Sequence, residues 1–220
     1  MKLSPRFVVV AAFFVTALVI SNVIAVKLVE MSGRVFPAGL VIFPLSYLLG
    51  DVLTEVYGLR AARAVIWLGF ACNLLAVGAI QAAIHLPGLD EDFSRAYERV
   101  LGTTWRLFLA SLAAYVVGEL ANAYVLAYLK GATGGRFLWT RTIGSTIVGE
   151  GLDSLIFVVA AFAGTGAALG NPIVTTWAIK VGWETAATPL TYAIVGYLKR
   201  AEDVDVYDFG RPAPRAAGLG

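Results

Sequence analysis

The sequence predicts an all-α polytopic membrane protein with six transmembrane helices, and three observations carry that prediction. Hydrophobic residues make up 59% of the 220 and charged residues only 15%, against about 25% charged in soluble domains. Mean hydropathy is +0.77. The apolar residues gather into six runs of the ~20 that a bilayer crossing needs. A single helical domain over residues 1–200 accounts for the length, with a polar tail over 201–220. Little chain is left for a separate soluble catalytic domain. The net charge of +2 gives no reason to expect a nucleic-acid partner. Cys72 is the only cysteine, so no intrachain disulfide can form, and it reads as a small hydrophobe.

The first run covers about Phe7–Val26 and contains the polar pair Ser21-Asn22. It is long and ends without a small-residue cleavage site, so it reads as a span rather than a signal peptide. The second covers about Phe36–Tyr57, and the third about Ala62–Ile84, closed by His85-Leu-Pro-Gly. Residues 89–104 are charged and amphipathic and predict a short interfacial helix or loop. The fourth run is Trp105–Leu129, followed by a glycine-rich turn, KGATGGR. The fifth is Thr140–Ala163, and GTGAALGNP after it reads as a flexible, uncharged hairpin. The sixth is Ile173–Leu198, and the tail from Lys199 reads as polar and disordered. With the N-terminus inside, Lys2, Arg6, Arg60, Arg63, Lys130, Arg136, Arg141, Lys199, Arg200, Arg211 and Arg215 fall on the cytoplasmic side. Only Lys27, Arg34, Arg95, Arg99 and Arg106 fall outside, so the positive-inside rule places both termini in the cytoplasm.

The stretch FPAGLVIFPLSYLLGDVLTEVYG, residues 36–58, organises the reading. It is apolar enough to enter a bilayer, yet carries Asp51 and Glu55, four apart and so on one helical face. A charge at bilayer depth costs about 2.5–3.5 kcal/mol on insertion scales, which points to function or to a wet, protein-lined interior. Capping of the span at the interface is the plainer alternative. The fourth and fifth runs align as V-G-E-x-x-[N/D], giving Gly118, Glu119 and Asn122, then Gly149, Glu150 and Asp153. Each glycine allows close backbone approach, and helix–helix contact is the plainer reading for Glu119 and Asn122. In the fifth run Arg141, Ser145 and Gly149 form one row, and Thr142, Thr146 and Glu150 the next. The sixth holds Lys180 and Glu184, then Thr188 and Pro189. Lys180 is expected to meet Glu184 in its own helix or Asp153 across the bundle. Pro189 can kink its helix. The interior tally is then Asp51, Glu55, Glu119, Glu150, Asp153 and Glu184 against Lys180 alone. Ion pairs cannot neutralise that excess, so some acids are protonated, solvated, ion-bound, or waiting for a ligand rich in donors. Asn22, taken alone, reads as a packing residue.

Other chemistry finds no support. There is no Walker A sequence, no H-E-x-x-H, and a lone His85 cannot build a metal site. An aspartyl dyad from Asp51 and Asp153 is formally available, but the chain has L-G-D where such dyads use G-x-G-D. No enzyme and no cofactor are expected.

The segments SNVIAVKLV, FPAGLVIFPLSYLLGDVLTEVYGLRAAR, WTRTIGSTIVGEGLDSLIF and IKVGWETAATPLTYAIVGYL resemble the queuosine precursor transporter family, also described as vitamin-uptake-like transporters. The resemblance covers most of residues 20–200. It implies a six-helix inner-membrane importer of 7-deazaguanine bases, such as 7-cyano-7-deazaguanine or its aminomethyl relative, and carries most directly to Asp51, Ser145, Asp153, Lys180 and Pro189. The residues fit such a ligand. Its N1–H and exocyclic amine suit one carboxylate, expected to be Asp153 or Glu150. Its carbonyl suits Lys180, Asn122 or Ser145. Tyr47, Phe43 or Trp177 could wall the ring. Acids left over could carry a coupling proton. The full candidate set is Asp153, Glu150, Lys180, Asn122, Glu119, Ser145, Asp51, Glu55, Asn22 and Glu184. The expected partners are a purine-like base and the lipid bilayer, and a homo-oligomer is allowed. Alternatives are a substrate-binding subunit that needs a separate energising module, and a non-transporting scaffold.

Overall fold

In a computed structural model the chain is described over residues 4–25, 27–31, 34–102, 105–164 and 170–210. Seven α-helices dominate: α1 (Pro5–Ile24), α2 (Phe43–Val52), α3 (Leu59–Ile84), α4 (Glu91–Leu101), α5 (Trp105–Ala132), α6 (Leu138–Phe162) and α7 (Gly170–Glu202). Four of them, α1, α3, α5 from Phe108, and α6, are long and apolar enough to cross a membrane. Helix α7 is longer still at 33 residues but carries Lys180, Glu184, Lys199 and Arg200.

The run expected to be one span over Phe36–Tyr57 is instead segmented. A hairpin of β1 (Leu28–Met31) and β2 (Arg34–Pro37), pairing Leu28 with Pro37, leads into it. A 3-10 turn over Ala38–Val41 follows, then α2, then a π-helical turn over Leu53–Tyr57. Pro44 sits in the first turn of α2, where its missing N–H costs nothing. Gly58 then turns the chain into α3 at φ 85°, in the left-handed region that favours glycine.

Helix α2 is the centre of the bundle. Every residue from Leu48 to Leu59 is buried, as expected of a segment enclosed on all sides. It packs against α1, α5 and α7, while α5 pairs with α6 and α3. The polarity of the whole is inverted. Leu75 is 73% exposed and Phe13 59%, while Ser145, Thr142 and Glu55 are fully buried. Exposed apolar bands of this kind belong to a protein solvated by lipid.

Both described ends of the chain lie at one end of the bundle. The Ser4 hydroxyl, which caps α1 by accepting from Phe7 N, donates to Glu202 at 2.5 Å. Arg6 donates to the Ala201 carbonyl. The expected amphipathic segment at 89–104 forms α4, capped by Asp90 and without a buried residue. The tail departs from expectation. Residues 203–210 are not a free polar end but a strap across the bundle: Val206 N donates to Val56 O, and the Asp208 carboxylate accepts from Leu59 N at 2.7 Å. Residues 211–220, and 165–169 of the expected hairpin, lie outside the described residues.

Candidate functional site

Asp51 and Glu55 were expected to act on one face, and the structure gives them different partners. The π turn between them is one reason, because its wider winding changes the register after Val52. Glu55 is the hub of an ion cluster at the end of the bundle where Ser4 meets Glu202. Arg141, in the first turns of α6, grips it in a fork, Nη2 to Oε1 at 2.8 Å and Nε to Oε2 at 3.2 Å. Lys199 reaches Oε1 at 2.6 Å and Lys130 at 3.7 Å. Asp205 of the strap then binds Lys130 at 2.6 Å and Lys199 at 2.8 Å. Burial raises the pKa of the Asp205 carboxyl, but the hydrogen bonds and charges of Lys130 and Lys199 outweigh it and hold it below the ordinary value. Glu55 therefore leaves the tally of unpaired acids, because three cations at helix ends converge on it.

The other acids lie among α2, α5, α6 and α7. Lys180 is their cation. It bonds Asp153, the cross-bundle partner expected, and also lies 2.7 Å from Glu150 Oε2. Its ammonium sits 5.5 Å from the ring centroid of Tyr47, which stacks in turn on Phe43. Asn122 donates to Asp51 Oδ1 at 2.7 Å. Glu119 lies against α2, where a Cβ on Gly50 would come 3.2 Å from its Oε2. The charges of Glu150, Asp153, Lys180 and Glu184 all act on Glu119, and those of Glu184 and Glu119 on Asp51. Four buried carboxylate or amide oxygens here meet neither a hydrogen-bond donor nor a cation among the described residues: Asp51 Oδ2, Glu119 Oε1, Asn122 Oδ1 and Glu184 Oε1.

The two V-G-E motifs explain how these carboxylates come together. A Cβ on Gly118 would lie 2.8 Å from Cβ of Asp153, and one on Gly149 would lie 2.6 Å from Cβ of Asn122. Each glycine thus receives the i+4 residue of the other motif, a reciprocal crossing that brings α5 and α6 into close contact.

Remaining expectations fall elsewhere. Ser145 is fully buried and donates to Thr142 O in its own helix. Trp177 donates to Ile147 O, which ties α7 to α6. Helix α7 continues through Pro189, with the Thr188 hydroxyl bonded to Glu184 O. Asn22 pairs with Asn73 at 2.9 Å, and both line a cavity of about 230 Å³ bounded by Val77, Ser111 and Tyr115. No acid lines that cavity. Sequence reasoning missed Asn73 and Tyr115, single polar residues in apolar runs, and Lys130 and Lys199, which looked like loop charges.

An apolar exterior enclosing ionisable side chains defines a multi-pass helical membrane protein with a polar interior. Residues 37–194 match the family described as "Putative vitamin uptake transporter". The chain is also 32% identical over 181 residues to the "Probable queuosine precursor transporter" of Bacillus subtilis (strain 168), a match covering 80% of this chain and 79% of that protein. No solved structure matches it. The chain belongs to this vitamin uptake transporter family, and it is a transporter of small molecules rather than an enzyme.

Proposed function

We propose that the chain imports a 7-deazaguanine base, a precursor of queuosine or archaeosine such as 7-cyano-7-deazaguanine, across the inner membrane as a secondary active carrier. Six crossings with both termini cytoplasmic fit the excess of Lys and Arg at one side and the Ser4–Glu202 contact. The observation that carries the substrate reading is the set of unsatisfied acceptors among the buried acids, together with the name of the Bacillus subtilis relative. A deazaguanine edge offers two parallel N–H donors and a carbonyl, which need a carboxylate and a cation or amide in one plane. Lys180 supplies the donor for the carbonyl. Asp153 and Glu150 were the first candidates for the amidine edge, but Lys180 engages both. Glu119, with Oε1 free and Lys180 within reach of its charge, is the better reader.

The test is rescue of queuosine in tRNA in cells that neither make nor import the precursor, with the base supplied outside at low concentration. Modified tRNA should return with the wild-type gene and fail with Glu119→Gln at equal membrane level. Rescue by that variant would overturn the site. No rescue by the wild type, with the protein present in the membrane, would overturn the substrate.

A further inference from the structure

Two groups of charge lie along α2, and only one has cations enough for its acids. At Glu55, Arg141, Lys130 and Lys199 face Glu55 and Asp205. Around Asp51 the described elements bring Glu119 and Asn122 from α5, Glu150 and Asp153 from α6, and Lys180 and Glu184 from α7. Lys180 is committed to Glu150 and Asp153. Asp51, Glu119 and Glu184 are left, each buried to nine-tenths or more and each with an oxygen that no donor among the described residues meets. Three uncompensated carboxylates in a lipid-solvated bundle are untenable as anions. A shared metal ion is not the remedy, because among the described residues no three ligating side chains are placed to hold one. A separate proton on each acid removes its charge and supplies an O–H for a neighbouring acceptor.

We propose that Asp51, Glu119 and Glu184 form a proton-binding site, each protonated in the empty protein, and that base and proton compete at Glu119. The competition rests on the transport reading above; the protonation of the empty site does not. A carboxylate that accepts two N–H donors must give up its proton, so each base bound releases one. Base affinity then falls about tenfold per pH unit of acidification while Glu119 is the group exchanging.

The protons can be read without any ligand. Purified protein in liposomes at neutral pH should show infrared absorption of protonated carboxyl groups, and Asp51→Asn, Glu119→Gln and Glu184→Gln should each remove part of it. An amide is a neutral isostere of a protonated acid, so these variants should fold and melt close to the wild type. Absence of such absorption, absorption untouched by all three changes, or loss of folded protein in all three would each overturn the proposal. Titration with 7-cyano-7-deazaguanine in weak buffer then reads the competition. Release of one proton per base bound supports it, and binding without release overturns it. If the carboxyl bands are present but the base does not bind, the substrate reading fails and the proton site stands.

Discussion

Glu55→Gln isolates the ion cluster at the end of the bundle where Ser4 meets Glu202. The side chain keeps its shape and loses its charge. In the wild type Oε1 receives Arg141 Nη2 at 2.8 Å and Lys199 at 2.6 Å, and Oε2 receives Arg141 Nε at 3.2 Å. An amide can present an oxygen to only one side, so its NH2 must face a cation or the Arg141 Nε–H. Lys130 and Lys199 would then have Asp205 alone, and Arg141, its side chain only 2% exposed, would lose its acid. Removing one partner of a buried pair costs about 3–5 kcal/mol. At about 2–4 °C per kcal/mol for a chain of this size, the melting temperature should fall by about 6–20 °C. The assay is thermal unfolding of purified protein followed by loss of the monodisperse peak on gel filtration. Pairing Glu55→Gln with Arg141→Gln should recover part of the loss, since the double variant removes the stranded charge. A single variant that melts within about 2 °C of the wild type would refute the claim that the cluster locks α2, α5, α6 and α7 together.

The remaining predictions read other parts of the bundle. Asp205 is held below its ordinary pKa, so its contribution is present at neutral pH and is lost as pH falls through the depressed folded value; the melting difference between wild type and Asp205→Asn should be flat near neutrality and vanish in acid. Gly149→Ala puts a Cβ 2.6 Å from Cβ of Asn122 and 2.8 Å from the Gly118 carbonyl, which should cost about 1–3 kcal/mol by forcing α5 and α6 apart, read as a lower melting temperature. Lys180→Met strands Glu150 and Asp153 without a cation, so uptake should be lost at equal membrane level; preserved uptake would show that Lys180 is not needed. Purified chain alone in liposomes should take up labelled base without a second protein, and a requirement for one would show that the carrier needs an energising partner.

How far the sequence could be read follows from which signals are local. The apolar runs of α1, α3, α5, α6 and α7 stand out because bilayer length sets a minimum that chance rarely meets. The burial of Asp51, Glu119, Glu150 and Glu184 was legible for the same reason, as ionisable groups inside such runs. The hairpin before α2 was not, since a long apolar run hides a change of secondary structure within it. The strap was missed although its pattern, Asp203-Val-Asp-Val-Tyr-Asp-Phe-Gly, alternates acid and apolar residues; alternation marks a chain lying on a surface, but not where the surface is. The partners of Glu55 were out of reach altogether. Lys130, Arg141 and Lys199 are 75, 86 and 144 positions away, and nothing local distinguishes a cation that folds inward from one that faces water.

The pairing of a cation-rich and an acid-rich group along one buried segment has a physical rationale. A protein cannot hold several acids close together without cations unless something else fixes the helices that bear them. Here that fixing lies on either side of Asp51. Toward the end where Ser4 meets Glu202, Glu55 binds α2 through its π turn to α5, α6 and α7. Along α5 and α6, the Gly118–Gly149 crossing sets where Glu119 and Glu150 must sit. Between these two constraints the acids keep their places while their charge is free to change. Were the acids around Asp51 met by fixed cations as Glu55 is, their acceptors would be occupied and neither proton nor ligand donor could enter. On the proposed reading, the unmet oxygens of Asp51, Glu119 and Glu184 are what a site that must fill and empty requires, and the filled cluster beside them holds the helices that bear it.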